Sequence, residues 1–158
     1  MTDVSRDDDF YLWTRQQAAA LRALSKTARA NDIDWEGVIE EVEDMGKSER
    51  NALVSLLTQI LAHAYKIENS RYQDPVRSWR EEIVNFQDTC NQHMTPSLRR
   101  ELDACLGEAH RRACVKVRGQ FAAHDEPIPE LPKASPYSVA ELLDPGFNLR
   151  PQPKAPTP

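Results

Sequence analysis

Asp34-Trp35-Glu36-Gly37-Val38-Ile39-Glu40-Glu41-Val42-Glu43-Asp44-Met45-Gly46-Lys47-Ser48-Glu49-Arg50 decides how the chain folds. Trp35, Val38, Ile39, Val42 and Met45 fall on one helical face. Beyond Gly46, Leu53, Leu56, Leu57, Ile60, Leu61, Ala64 and Ile67 repeat the three-and-four spacing. Wound as a single helix, the stretch would place Gly46 and Glu49 inside the apolar seam, and a buried unpaired carboxylate is costly. The expected solution is a break near Gly46. A short acidic helix then ends there, and Ser48 caps a long helix with Glu49 in its first turn, where a carboxylate favours the helix dipole. The alternative is an interhelical partner for a buried Glu49.

Working outward, 158 residues suffice for one core without disulfides or metal. A formal net charge of -5 gives no electrostatic pull on nucleic acid or an anionic membrane. The three cysteines, Cys90, Cys105 and Cys114, fit reduced thiols better than a disulfide framework. Met1-Thr2-Asp3 runs into Asp7-Asp8-Asp9, which is unlike a signal peptide, and no apolar run approaches a membrane span. These features together point to a cytoplasmic protein.

Upstream, residues 1–9 are expected to be flexible, with Asp9 capping a first helix striped by Phe10, Trp13, Gln17, Ala20, Leu21, Leu24 and Ala28. Asp32 or Asp34 caps the acidic helix, and between Asp32 and Asp44 stand seven carboxylates and no cation. Downstream, Asp74-Pro75 opens a helix striped by Val76, Trp79, Ile83, Phe86, Cys90 and Met94. Thr95-Pro96 ends it and starts another, bearing Leu98, Leu102, Cys105, Leu106, Ala109, Ala113, Val117 and Phe121. Pro127, Pro129, Pro132 and Pro136 enforce an extended strap. Ser138-Val139-Ala140-Glu141 has capping-box spacing for a short helix that Pro145-Gly146 ends. Residues 148–158 read as a disordered tail rich in proline. The fold class predicted is all-α: a single domain over 10–147, built as a bundle of about five helices with a proline-rich strap and a short terminal helix.

The order of these words resembles the bacterial family called domain of unknown function 29. Phe10-Tyr11-x-Trp13 with Gln17 and Leu21-Arg22 comes first, then Glu40-Glu41-Val42-Glu43-Asp44-Met45-Gly46-Lys47-Ser48-Glu49-Arg50. His63-Ala64-Tyr65-Lys66, Ser78-Trp79, Pro96-Ser97-Leu98 and Ser135-Pro136-Tyr137 with Leu142-Leu143-Asp144 follow. The resemblance implies a small, mostly helical, cytoplasmic bacterial protein, and it implies no activity.

The residues that could carry chemistry are a candidate polar site of Glu41, Glu49, His63, Lys66, Trp79 and Arg80. Glu49 and His63 share a helix side but stand about 21 Å apart along it at a normal rise, too far for one metal ion. His63 reads as packed between helices, one nitrogen bonded to a carboxylate or carbonyl. Trp79 with Arg80, near Lys66 and Arg71, suggests an aromatic and basic pocket for an anion or nucleotide, although Trp79 lies in phase with the core stripe and a core tryptophan is the default. Cys90-x-x-His93 and His110-x-x-x-Cys114 have zinc-ligand spacing, set against the apolar position of Cys90. No nucleophile elbow or phosphate loop is present. The function expected is therefore non-enzymatic: a helical interaction module, without cofactor or metal, presenting an acidic-apolar face to a protein partner or to itself. A helical enzyme or metal-binding bundle using Glu41, Glu49 and His63 is the alternative, and the protective partner of a toxin is a third reading by analogy.

Overall fold

The computed structural model describes residues 4–149. They form five α-helices: α1 Phe10–Ser25, α2 Trp35–Asn69, α3 Asp74–Gln92, α4 Pro96–Ala123 and α5 Val139–Leu143. Among the described residues there is no strand. The all-α expectation holds, with the strap and the short terminal helix where the prolines and the capping box put them. The flexible N-terminus expected at residues 1–9 is described only from residue 4, and the expected tail lies outside the described residues from 150 onward.

The chain divides into two compact units: Met1–Leu53 with Met94–Leu102, and Val54–His93 with Asp103–Pro158. Both α2 and α4 contribute one part to each unit.

In the first unit the expected break at Gly46 is absent, because α2 runs unbroken from Trp35 to Asn69. Gly46 is buried on the helix and Glu49 is exposed. The glycine therefore serves close approach and does not end the helix. A Cβ built on it would stand 2.2 Å from Thr14 Oγ1 and 3.5 Å from Tyr11 Cδ2. Ser48 and Glu49, expected as cap and first-turn residue, are both exposed in the helix interior. This contact also explains why the buried face of α1 is Tyr11, Thr14 and Ala18 and not the more apolar line through Ala20 and Leu24. Thr14 is wholly buried and donates its hydroxyl proton to the Tyr11 carbonyl at 2.8 Å. A small residue with a satisfied hydroxyl fits against a glycine where a leucine would not.

Asp9 caps α1 as expected, accepting from the Leu12 N–H at 3.0 Å. The same buried carboxylate also accepts from Ser97 Oγ at 2.6 Å, Ser97 N–H at 3.0 Å and Thr95 Oγ1 at 3.1 Å, at the start of α4. One anion thus satisfies orphan donors of two helix N-termini. Asp34 caps α2 through the Gly37 N–H at 3.0 Å. Ile39, Leu53, Leu98 and Leu102 complete the buried apolar side of this unit.

In the second unit, Leu57, Ile60, Leu61, Ala64 and Tyr65 of α2 are fully buried. So are Cys90 of α3 and Ala109, Ala113 and Val117 of α4. Each large aliphatic side chain withdrawn from water contributes about 1.5–3 kcal/mol. Asp74 begins α3 and does not cap it: the N-cap is Gln73, which makes no side-chain cap bond. At its far end α4 closes in a Schellman arrangement, with Glu126 N–H donating to the Phe121 carbonyl and Asp125 N–H to the Ala122 carbonyl. Asp125 takes the left-handed position at φ 54°. The Ser138 capping box on α5 is present in full. Gln87, buried on α3, donates to the Leu142 and Asp144 carbonyls at 2.8 and 3.1 Å, and Asn91 donates to the Leu143 carbonyl at 3.0 Å. A five-residue helix leaves its last carbonyls open, and these two amides satisfy them.

Candidate functional site

The first candidate is the outer face of the N-terminal half of α2. The apolar face read from the sequence divides here. Ile39 is buried and Trp35 and Val42 are half-buried, whereas Val38 and Met45 are 43% and 47% exposed. Asp34, Gly37, Val38, Glu41, Val42 and Met45 line one shallow groove. The surrounding carboxylates are only partly neutralised: Arg22 donates to Glu43 at 2.8 Å and Lys47 to Asp44 at 2.8 Å. The hydrogen bond from Arg22 holds the Glu43 carboxyl below its usual range.

The second candidate lies in the other unit, where His63 and Lys66 of α2 meet Trp79 and Glu82 of α3. His63 is 5% exposed, and its Nε2 is hydrogen-bonded to Glu82 Oε2. A carboxylate accepts, so Nε2 carries the proton. Ser78 Oγ donates to the other Glu82 oxygen at 3.3 Å, and Phe86 packs edge-on against the imidazole with ring centroids 5.5 Å apart. His63 Nδ1 is buried with no hydrogen-bond partner among the described residues. Lys66 is 6% exposed, its Nζ 4.8 Å from the centroid of the Trp79 ring. Burial lowers the Lys66 pKa, Glu82 pulls it back up, and Lys116 of α4 lowers it further.

Of the residues singled out from the sequence, the structure brings together His63, Lys66 and Trp79. Arg80 is exposed at a different groove, lined also by Ile67, Ile83, Val84 and Phe147. Glu41 and Glu49 belong to the first unit and are exposed. Sequence reasoning missed Glu82. Its only signals were its spacings, one turn after Ser78 and three residues after Trp79, with Ile83 of the apolar stripe beside it.

The cysteine and histidine pairs take other roles. All three cysteines are buried and none is in a disulfide, and His93 is exposed at the end of α3. His110 Nε2 lies 2.9 Å from the Pro132 carbonyl, which can only accept, so Nε2 donates and Nδ1 accepts from the Tyr65 hydroxyl at 2.8 Å. Both nitrogens are thereby committed to tying the strap to α4 and α2. Burial, then Cys114, raises the Tyr65 pKa and keeps that hydroxyl protonated. Among the described residues no three histidine, cysteine or acidic side chains are grouped to hold a metal ion. No described helix is long and apolar enough to cross a membrane.

The pair at His63 makes stability depend on pH. Burial lowers the His63 pKa below 6.5, outweighing the pull of Glu82 in the other direction. The folded state therefore resists protonation more than the unfolded chain does. The stability His63 contributes is complete above pH 6.5 and is lost as pH falls from there through the folded value. The His63 hydrogen bond holds Glu82 below 4.5, which adds a second loss at lower pH. Urea midpoints measured from pH 8 to pH 5 are expected to fall below 6.5, and His63→Gln to flatten that limb. An unchanged slope in the variant would assign the effect to other groups.

These features define a small all-α protein with a buried histidine–glutamate pair and an acidic, partly apolar helix face. A family model described as "Domain of unknown function DUF29" matches residues 6–148, and the chain belongs to that family. Among solved structures it is similar to an alpha-helical protein of unknown function from Rhodospirillum rubrum, with 28% identity, 94% of each chain covered and a TM-score of 0.78. No match was found among curated proteins. Two of the words that carry the family resemblance, His63-Ala64-Tyr65-Lys66 and Ser78-Trp79, meet at the polar cluster.

Proposed function

We propose that this chain is a non-enzymatic protein-interaction module of the bacterial cytoplasm, which uses the N-terminal half of α2 to recognise a basic amphipathic helix of a partner protein. The carrying observation is the exposure of Val38 and Met45 two turns apart on one face, with Glu41 and Val42 between them in a single groove. Such a strip receives apolar side chains at helical spacing, and the carboxylates around it favour lysine or arginine along the edge of the incoming helix. Pairing this strip with its copy in a second molecule would oppose carboxylate to carboxylate, which disfavours self-association.

The test uses a synthetic helix with leucines on one face and lysines on the other, and a control peptide with glutamates in place of the lysines. Saturable binding of the basic peptide alone is expected, weakening with salt. Met45→Glu and Val38→Asp should each weaken it at least about tenfold, or 1.4 kcal/mol. Because both side chains are exposed, the variants should keep wild-type stability within about 0.5 kcal/mol. Equal binding of both peptides, or affinity unaffected by either substitution, would overturn the reading. A concentration-dependent dimer abolished by Met45→Glu would do so as well, by assigning the strip to self-association.

A further inference from the structure

We propose that the cleft between α1 and the first turns of α2 binds an organic cation, an alkyl ammonium or guanidinium, with its apolar stem on Trp35 and Ile39 and its charge at Glu36 and Glu40. The cavity has a volume of about 600 Å³ and lies wholly within the first unit. It shares no residue with the groove around Val38 and Met45, so the proposal is independent of that strip. Small-molecule sites have volumes of roughly 300–1,000 Å³ and an apolar lining with a few placed polar groups. Here the buried Ile39 and the half-buried Trp35 supply the apolar part. The indole N–H of Trp35 donates to the Ala30 carbonyl at 3.3 Å, which holds the ring in place at the cavity.

The charges around this apolar floor do not balance from within. Both cations that line the cavity are already engaged, Arg22 by Glu43 and Lys47 by Asp44, each at 2.8 Å. Lys47 acts on Glu40 through charge alone. Among the described residues Glu36 and Glu40 make no ion pair and no hydrogen bond. They stand one turn apart on α2, where like charges destabilise a helix. A cation in the cleft relieves that repulsion. A metal ion is the wrong cation, because Glu36, Glu40 and Glu43 are spread over about 10 Å of helix. Among the described residues no three such side chains are grouped to hold one. An ammonium or guanidinium instead meets dispersed carboxylates with several N–H donors, and its charge is attracted to an indole face. Carboxylates alone would make a solvated surface. The indole and Ile39 select a cation that carries carbon.

The experiment titrates the full chain with putrescine and, separately, with N-acetyl-lysine amide, at constant ionic strength set by sodium chloride. The indole N–H of Trp35 is followed by two-dimensional NMR, with its signal assigned through Trp35→Phe. A saturable shift of the Trp35 signal is expected, with the Trp13 and Trp79 signals still. Saturation with putrescine alone assigns the site to a free amine, and with the blocked lysine alone to a side chain of another protein. Saturation with both leaves the cation class as proposed. Butanol, a stem without the charge, and magnesium, a charge without the stem, should not saturate. Glu36→Gln and Glu40→Gln combined should weaken binding at least about tenfold, and both residues are exposed, so the variant should fold. Glu49→Gln, at an exposed carboxylate of the same helix outside the cavity, should leave affinity within about twofold. No saturation with either amine up to tens of millimolar, saturation by magnesium or butanol, or an equal loss in Glu49→Gln would overturn the proposal.

Discussion

Gly46→Leu is expected to destabilise the protein by more than about 3 kcal/mol, the largest effect of any single change on the surface of α2 that faces α1. A Cβ at this position would stand 2.2 Å from Thr14 Oγ1, closer than such atoms approach. Thr14 is fully buried, β-branched and hydrogen-bonded to the Tyr11 carbonyl, so it has little freedom to move aside. Gly46→Ala separates two effects of opposite sign. Alanine gains about 1 kcal/mol of helix propensity over glycine, whereas overpacking costs about 1–3 kcal/mol. A net loss of up to about 2 kcal/mol is therefore expected for alanine. Denaturant melts of Gly46→Ala in wild-type and Thr14→Ala backgrounds check the cause. The alanine should become less harmful, or stabilising, once the threonine hydroxyl is gone. A Gly46→Leu variant as stable as the wild type would disprove the close approach.

Asp9→Ala is expected to cost about 3 kcal/mol, more than an ordinary helix cap, whose loss costs about 0.5–2 kcal/mol. The excess comes from Ser97 and Thr95, whose donors at the start of α4 lose the same acceptor. Asp9→Asn keeps one oxygen and should fall between alanine and the wild type. The acid limb provides a second check. Burial pushes the Asp9 carboxyl up, but hydrogen bonds from Ser97, Leu12 and Thr95 outweigh it and hold it below 3.8. Its contribution is thus complete above pH 3.8 and disappears as pH falls through the folded value. Asp9→Asn should remove that part of the acid sensitivity. If Asp9→Asn matched the wild type at neutral pH, the double clamp would be absent in solution.

The all-α class, the strap and the caps at Asp9, Asp34 and Ser138 were legible in the sequence because each rests on local rules. The three-and-four spacing of Leu53, Leu57, Ile60, Leu61 and Ala64 can be buried only as a helix. The prolines between 127 and 136 forbid one, and Ser138 with Glu141 announces a start that neighbours in the chain complete. His63 was legible as a histidine packed between helices with one nitrogen bonded to a carboxylate or carbonyl, since it sits at the edge of a strong apolar stripe; that the partner is a carboxylate was not.

Other properties belong to residues far apart in the chain. Whether Gly46 ends a helix or admits a neighbour depends on Thr14, a residue of another helix, so the same glycine read as a break proved to be a contact. Asp9 announces one cap, but its second, to Ser97, spans 88 residues. The polar site was half legible. His63, Lys66 and Trp79 stand out as residue types, while Glu82 looks like any surface carboxylate until α3 brings it to the imidazole. In the same way periodicity placed Val38 and Met45 on an apolar face, but exposure depends on what covers that face. Local sequence determines which backbone conformation is cheapest and which side of it is apolar. Which of those sides is buried, and which carboxylate reaches which cation, is decided only when distant segments pack.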